Sequence, residues 1–391
     1  MRPIDAVKRI RPLVVWNARR IPDPVGRLRY LQSVAAAPPR FRWKSRITIG
    51  FLALVALGIV AAPFSLRMPV AANAASRKPP SLPTPPTIHR VEIEAGPSAD
   101  VWSVEKARNF ETYSNGLRIE NHYAVGNRPR DYMAYTYANP DAAGGEKRTD
   151  PVGIVYHTTE SLQAPFEPSQ NDRLKRVGES LIDYVRRNHC YNFLIDRFGR
   201  VFRIVNESDA ADHAGHSVWA DDRYFYVNLN DSFVGISFEA QTGAGETSTR
   251  VGNAQVHAAA MLTEMLRSRY KIPARNCVTH AQVSVNPSNM QIGYHNDWAS
   301  SFPFEKLGLP DNYATPSPAV TLFGFDFDAG YARRAGVRLA LGAINADHGL
   351  VQAAQAAHLS PEAYRKELHR RYLKIMASRP SQSDDDAQNG G

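Results

Sequence analysis

Cysteine is nearly missing from this chain: its 391 residues include two, Cys190 and Cys277. One disulfide is the most they can form, and it would need neighbouring strands with Cα atoms within about 7 Å of each other. Both fall in expected strands, where alternation turns Cys190 away from Tyr191 and Cys277 away from His280, so both are read as buried free thiols. No internal repeat is present. A basic excess is also missing from most of the chain, although the overall formal charge is +9. Residues 1–46 hold twelve Lys or Arg against two Asp, a net +10, which leaves about one net negative charge for the remainder. The basicity belongs to one end, and no nucleic-acid partner is expected for the main domain.

Charge is wholly absent from residues 47–66, ITIGFLALVALGIVAAPFSL. Twenty apolar residues are long enough to cross the hydrocarbon layer, and the arginine-rich leader predicts a cytoplasmic N-terminus with everything after about Arg67 outside. The expectation is a transmembrane anchor in the cytoplasmic (inner) membrane, single-pass, with the following domain in the periplasm or extracellular space. The alternative is a cleaved signal and a secreted product, with ANA at Ala72–Ala74 as the peptidase site.

Beyond this stretch, residues 67–90 read as a proline-rich linker, RKPPSLPTPPTIH being a semi-rigid spacer. Residues 91–149 read as a β-rich extension in which SNG turns between strands and Asn127–Asp150 is loop. Residues 150–310 form the main domain. After it, residues 311–377 favour helices at Tyr331–Ile344, Leu350–Ala357 and Pro361–Met376, with Ser360 as a cap. This C-terminal helical extension shows no nucleophile pattern and reads as an appendage or a protein-partner module. Residues 378–391 are expected to be disordered.

Within the main domain, the apolar run Val152–Tyr156 is a buried strand that delivers His157 to the rim of a sheet. Arg173–Asn188 places Leu174, Val177, Leu181, Ile182 and Val185 on one helical face. CYNFLID and RVFRIV form a hairpin turned by Gly199, FVGISFEA is another strand, and Gln255–Tyr270 a second helix. The class is α/β, a mixed central β-sheet covered by helices. His280 closes a further short strand, CVTH, and GYHNDW offers His295 or Asp297. Two imidazoles and a carboxylate around Zn2+ leave one position for water, the arrangement that metal-assisted hydrolysis needs.

Asp150 to Pro310 resembles the zinc-dependent N-acetylmuramoyl-L-alanine amidases of the peptidoglycan-recognition-protein and phage-lysozyme-type amidase family. GIVYHTTES is similar to the family's first ligand strand, YNFLIDRFGRVFRI to its hairpin, ADHAGHS to its His-Ala-Gly loop and CVTHAQVSVNP to its second ligand segment. Asp297 stands five residues before Phe302, similar to the family's third-ligand carboxylate. The resemblance implies His157, His280 and Asp297 as zinc ligands, Tyr191 beside the reacting water, and His213 and Asn192 as substrate-binding, with a structural role for His213 left open. It implies hydrolysis of the amide between the muramic acid lactyl group and L-alanine in peptidoglycan stem peptides. The alternative is a non-catalytic peptidoglycan-recognition module.

Two positions depart from the family pattern. Where many members have glutamate directly after Gly-Ile, this chain has Ser237, leaving Glu239 as the candidate base. His295 stands where a lysine commonly acts, and imidazole supplies the same charge only when protonated. Whether His295 or Asp297 reaches the zinc stays open at this stage.

Overall fold

The computed structural model describes residues 100–137, 145–241 and 251–379. Twelve strands form its two main sheets: β1 (Ser103–Lys106), β2 (Phe110–Tyr113), β3 (Arg118–Glu120), β4 (Tyr132–Thr136), β5 (Glu146–Arg148), β6 (Gly153–Thr158), β7 (Phe193–Ile195), β8 (Val201–Arg203), β9 (Val218–Ala220), β10 (Tyr224–Val227), β11 (Phe233–Phe238) and β12 (Cys277–Thr279). The larger sheet has the order β1-β2-β3-β8-β7-β11-β6-β12. It is mixed. β7, β11, β6 and β12 run parallel to one another, and β8 pairs antiparallel with β7. β6 and β11 are buried along their whole length, as expected of apolar strands covered on both faces.

Alternation along β6 decides which layer each side chain joins. Val155 enters the core with Tyr132, Trp219, Tyr226 and Phe233, which ties the large sheet to the antiparallel sheet β5-β4-β10-β9. Tyr156 takes the other side, where its hydroxyl lies 2.8 Å from Thr263 Oγ1. Thr263 belongs to α3 (Asn253–Tyr270), which follows α1 (Asn171–Arg187) and the single turn α2 (Leu229–Ser232). α1 buries Leu174, Leu181, Ile182 and Val185 at the expected helical spacing, and the last three meet Leu194 and Phe202 of the hairpin. That hairpin turns as read, with Gly199 at φ +81° and its amide donating to Asp196 O at 2.9 Å.

After β12 come the short α4 (His280–Val283), then α5 (Pro318–Phe323), α6 (Ala329–Arg334), α7 (Val337–Ala356) and α8 (Pro361–Ser378). α8 starts as expected, with Ser360 Oγ accepting from the Ala363 amide at 3.2 Å. It buries Tyr364, Leu368, Tyr372 and Ile375, and Tyr372 meets Phe323 and Phe325 edge-on. Phe323 in turn packs on Phe225 of β10, so the C-terminal helices cover the second sheet.

Several expectations are corrected. Asn127–Asp150 is not all loop, because β4 and β5 lie there and pair with each other, β4 pairing also with β10. The helices expected at Tyr331–Ile344 and Leu350–Ala357 are instead divided at Gly336, after which α7 is continuous to Ala356. Cys190 precedes β7 rather than lying in a strand, and both cysteines are free thiols.

The transmembrane anchor, with the inner-membrane partner and single-pass localisation drawn from it, finds no counterpart among the described residues. Among the described residues no helix is long and apolar enough to cross a membrane. The longest, α7 with 20 residues, carries Arg338 and Asp347 along its length. Residues 47–66 themselves lie outside the described residues, as do the basic leader, the linker at 67–90 and residues 380–391 of the tail.

Candidate metal centre

The parallel strands end together, and their ends carry the candidate ligands. His157 is the fifth residue of β6. His280 opens α4 directly after β12, where Gln282 Oε1 accepts from the Thr279 amide at 2.9 Å and fixes the strand-to-helix turn. Asp297 arrives from the loop after Gly293. His157 Nδ1 lies 3.2 Å from Asp297 Oδ2, and His280 Nδ1 lies 3.0 Å from Asp297 Oδ1. One donor atom from each of the three residues falls within 4.8 Å of the others, and all three residues are buried. Of the two candidates for third ligand, Asp297 is the one in this cluster. His295 stacks on the His280 ring at 4.4 Å between centroids.

The tautomers follow from the groups behind the cluster. His213 Nε2 lies 3.3 Å from the Phe233 carbonyl, which can only accept, so that nitrogen carries the proton. His213 Nδ1 is then a lone pair and accepts from His157 Nε2 at 3.1 Å. This leaves His157 Nδ1 a bare lone pair facing a carboxylate oxygen. Two acceptors at 3.2 Å repel unless a cation lies between them or a proton joins them. Burial, with the nearby His280, pushes His157 down to about 4 despite the opposing pull of Asp297, so a proton is unavailable at neutral pH. Burial alone would raise the Asp297 carboxyl, yet the facing His280 and His157 outweigh it and hold Asp297 well below the usual carboxylate range. His280 Nε2 is buried without a hydrogen-bond partner. An acceptor pair needing a cation, a compact ionised carboxylate and a neutral His157 imidazole fit a zinc ion.

His213 reaches His157 because the strand beneath it is bare. A Cβ on Gly235 would lie 2.6 Å from His213 Cγ, so any other residue at 235 would displace the ring. Asn230 Oδ1 accepts the amides of His213, Ala214 and Gly215 at 2.9, 2.6 and 3.2 Å, which fixes the His-Ala-Gly loop. His213, expected to line a substrate groove, is thus a buried neighbour of His157. Asn192 is fully buried, and its side-chain amide spans Gly235 N and the carbonyls of Val205, Asn206 and Asp209.

Tyr191 stands beside the cluster, its ring 5.2 Å from that of His157, at φ +61°. Burial, then Cys190 and Asp297, raise its phenol far above the ordinary value, so it remains an O–H donor. His295 is pushed down to about 4 by burial and by His280, which leaves it neutral at neutral pH. Glu239 is not brought to the cluster by any hydrogen bond. Its Oε2 accepts from the Arg197 amide at 3.2 Å, and burial raises its carboxyl. Sequence reading passed over Trp298, whose indole donates to the His157 carbonyl at 3.0 Å and ties the Asp297 loop to β6. The HNDWASSFPF stretch held the residue in plain view, but its partner 141 positions away was not legible.

This segment has an amidase-type fold with a His-His-Asp cluster consistent with the zinc amidases, and residues 147–297 match the N-acetylmuramoyl-L-alanine amidase family. The match ends on Asp297. Similar solved structures include the N-acetylmuramoyl-L-alanine amidase LysC from Clostridium intestinale URNW, at 19% identity over 48% of this chain and 93% of that one, TM-score 0.26. Another is AmpDh3 from Pseudomonas aeruginosa in complex with anhydromuramic pentapeptide, at 19% identity over 60% and 77%, TM-score 0.32. A third is AmiD from E. coli with the substrate anhydro-N-acetylmuramic acid-L-Ala-D-gamma-Glu-L-Lys, at 20% identity over 59% and 90%, TM-score 0.32. No curated protein matches the chain.

Proposed function

We propose that this protein is a zinc-dependent hydrolase of peptidoglycan, an N-acetylmuramoyl-L-alanine amidase that cleaves the amide between the muramic acid lactyl group and L-alanine. The observation that carries the reading is the cluster of His157, His280 and Asp297, three buried donors of which the histidines stand at the ends of parallel strands and the aspartate on a loop beside them. Zinc held there would activate a water and polarise the scissile carbonyl, an amide being too stable to yield to water alone.

The chain's own groups would orient the metal position and meet the developing charge. His213 takes the His157 Nε2 proton as its hydrogen bond and keeps the Nδ1 lone pair pointed at the metal position. Tyr191, protonated at any working pH, is the hydroxyl donor for the oxygen that gains charge as the carbonyl is attacked. His295, neutral and stacked on His280, is a second donor on the opposite imidazole. Glu239, hydrogen-bonded to the hairpin turn, is left out of this machinery.

Metal analysis of the purified protein, paired with mass spectrometry of treated peptidoglycan, tests the proposal. The expected result is one zinc per chain and stem peptides released with a free L-alanine amino terminus. Binding to peptidoglycan with no zinc and no released peptide would establish the recognition module instead.

A further inference from the structure

The loop that delivers Asp297 is gripped by residues from beyond the amidase-like segment. Tyr331 of α6 packs against Gly293, where φ is +75° and a Cβ would fall 2.2 Å from the Tyr331 ring. Three residues on, Arg334 Nε donates to Asn296 Oδ1 at 2.8 Å and its Nη2 to the Gly293 carbonyl at 3.4 Å. At the start of α7 the Gly336 amide donates to the Ala299 carbonyl at 3.0 Å. The Tyr313 hydroxyl donates to the Trp298 carbonyl at 2.7 Å and accepts from the Phe302 amide at 3.0 Å. Trp298, adjacent to Asp297, sits at φ +57°, a conformation that costs energy for a bulky side chain and persists where its surroundings hold it.

We infer that the helical region after residue 311 is a brace for the metal-ligand loop, with Tyr313, Tyr331 and Arg334 as positioning residues that set where Asp297 stands and so how tightly zinc is held. This rests on the zinc reading above. The brace acts on both sides of the ligand: Arg334 and Tyr331 hold residues 293–296, and Tyr313 and Gly336 hold residues 298–302. The amidase-like side also holds this loop, through the Ala281 amide to the Asp297 carbonyl at 3.2 Å, the His295 amide to Ser284 Oγ at 2.7 Å and the Trp298 indole, but among the described residues the hydrogen bond to the Asn296 side chain comes from Arg334. Groups that orient ligands without touching the metal are worth about 10- to 100-fold in metal affinity.

Arg334 is exposed, so Arg334→Ala leaves the fold intact and isolates the effect. Zinc affinity of the whole protein, measured by competition with a chromophoric chelator, should weaken about tenfold in R334A and in Tyr313→Phe, and Arg334→Lys should recover part of the loss. Arg333→Ala, an exposed neighbour, should behave as wild type. The Co2+-substituted protein should show an altered absorption spectrum in R334A, a readout of ligand geometry that loss of bulk stability would not move. Amide hydrogen exchange across residues 293–302 of the metal-free protein should be faster in R334A. Zinc affinities within twofold of wild type in both R334A and Y313F, with an unchanged Co2+ spectrum, would overturn the brace while leaving the zinc reading intact. A wild-type protein that takes up no zinc would overturn the reading itself, and control of affinity with it.

Discussion

Two buried polar centres lie back to back in this molecule and share one carbonyl. Arg130, 2% exposed, spends its guanidinium on five backbone carbonyls, those of Glu207, Asp209, Asn230, Asp231 and Phe233, at 2.7–3.4 Å. Burial lowers it to about 10, which still leaves it charged at neutral pH. The Phe233 carbonyl also accepts from His213, and beyond His213 the second centre begins. There the accounts differ: a lone pair faces a carboxylate and His280 Nε2 has no partner. The first centre is complete as the chain folds and does structural work. The second has acceptor facing acceptor, which is how a site for a cation differs from a buried network.

The largest effect expected from breaking this comparison is at the second centre. Asp297→Ala should remove at least nine-tenths of the bound zinc and lower turnover about a thousandfold or more, as metal-assisted chemistry is lost. Zinc at a thousand times its Kd should raise the stability of the wild type by about 4 kcal/mol and leave D297A unmoved. Equal stabilisation of the two would mean that zinc binds elsewhere.

At the first centre, Arg130→Met keeps volume but orphans several carbonyls, at about 1–3 kcal/mol for each that water cannot reach. Urea unfolding should show a loss of about 3 kcal/mol or more, and a loss below about 1 kcal/mol would contradict the structural role given to Arg130. Next comes Tyr191→Phe, for which about a hundredfold lower kcat at unchanged zinc content is expected if the phenol stabilises developing charge. A rise in KM alone would reassign it to substrate binding.

Proton binding sharpens the comparison further. His157 is held at about 4 against about 6.5 for an unfolded chain, so between those values the unfolded state binds more protons. Stability of the metal-free protein therefore rises with pH through this window, is complete above it and is lost towards pH 4. Unfolding free energies from urea at pH 7 and pH 5 should differ by on the order of 2 kcal/mol from His157 alone, and a pH-independent stability would show that His157 is not buried neutral. The smallest effect belongs to Glu239→Gln, expected to lower kcat less than about threefold. A hundredfold loss would restore Glu239 as the proton-transfer group.

Legibility in the sequence followed the range of the interactions. His157 and His280 were readable because each ends an apolar run, and Asp297 because of the aromatic-proline ending after it. α1 and the Gly199 hairpin were readable from local periodicity and turn chemistry. β4 was not, since what makes it a strand is pairing with β10, with Phe225 opposite Tyr135. His213 lies 56 residues from His157, and no local pattern distinguishes a histidine that faces a ligand from one that faces a groove. Arg334 reads as one more exposed helix residue until Asn296 is found beside it. The glutamate expected to face the cluster was placed by strand alternation, but β11 ends at Phe238, and beyond that the alternation no longer governs Glu239.

Sequence separation also dictates when the metal position comes into being. His157 and Asp297 are 140 residues apart, and His157 lies in a central strand whose parallel partners come from residues 233–238 and 277–279. Parallel pairings across such distances close large loops before any contact rewards them, which makes them slow. The donors are therefore scattered in the nascent chain and are expected to converge late in folding. Zinc capture during refolding should be a late event, coincident with the slowest recovery of buried tryptophan fluorescence.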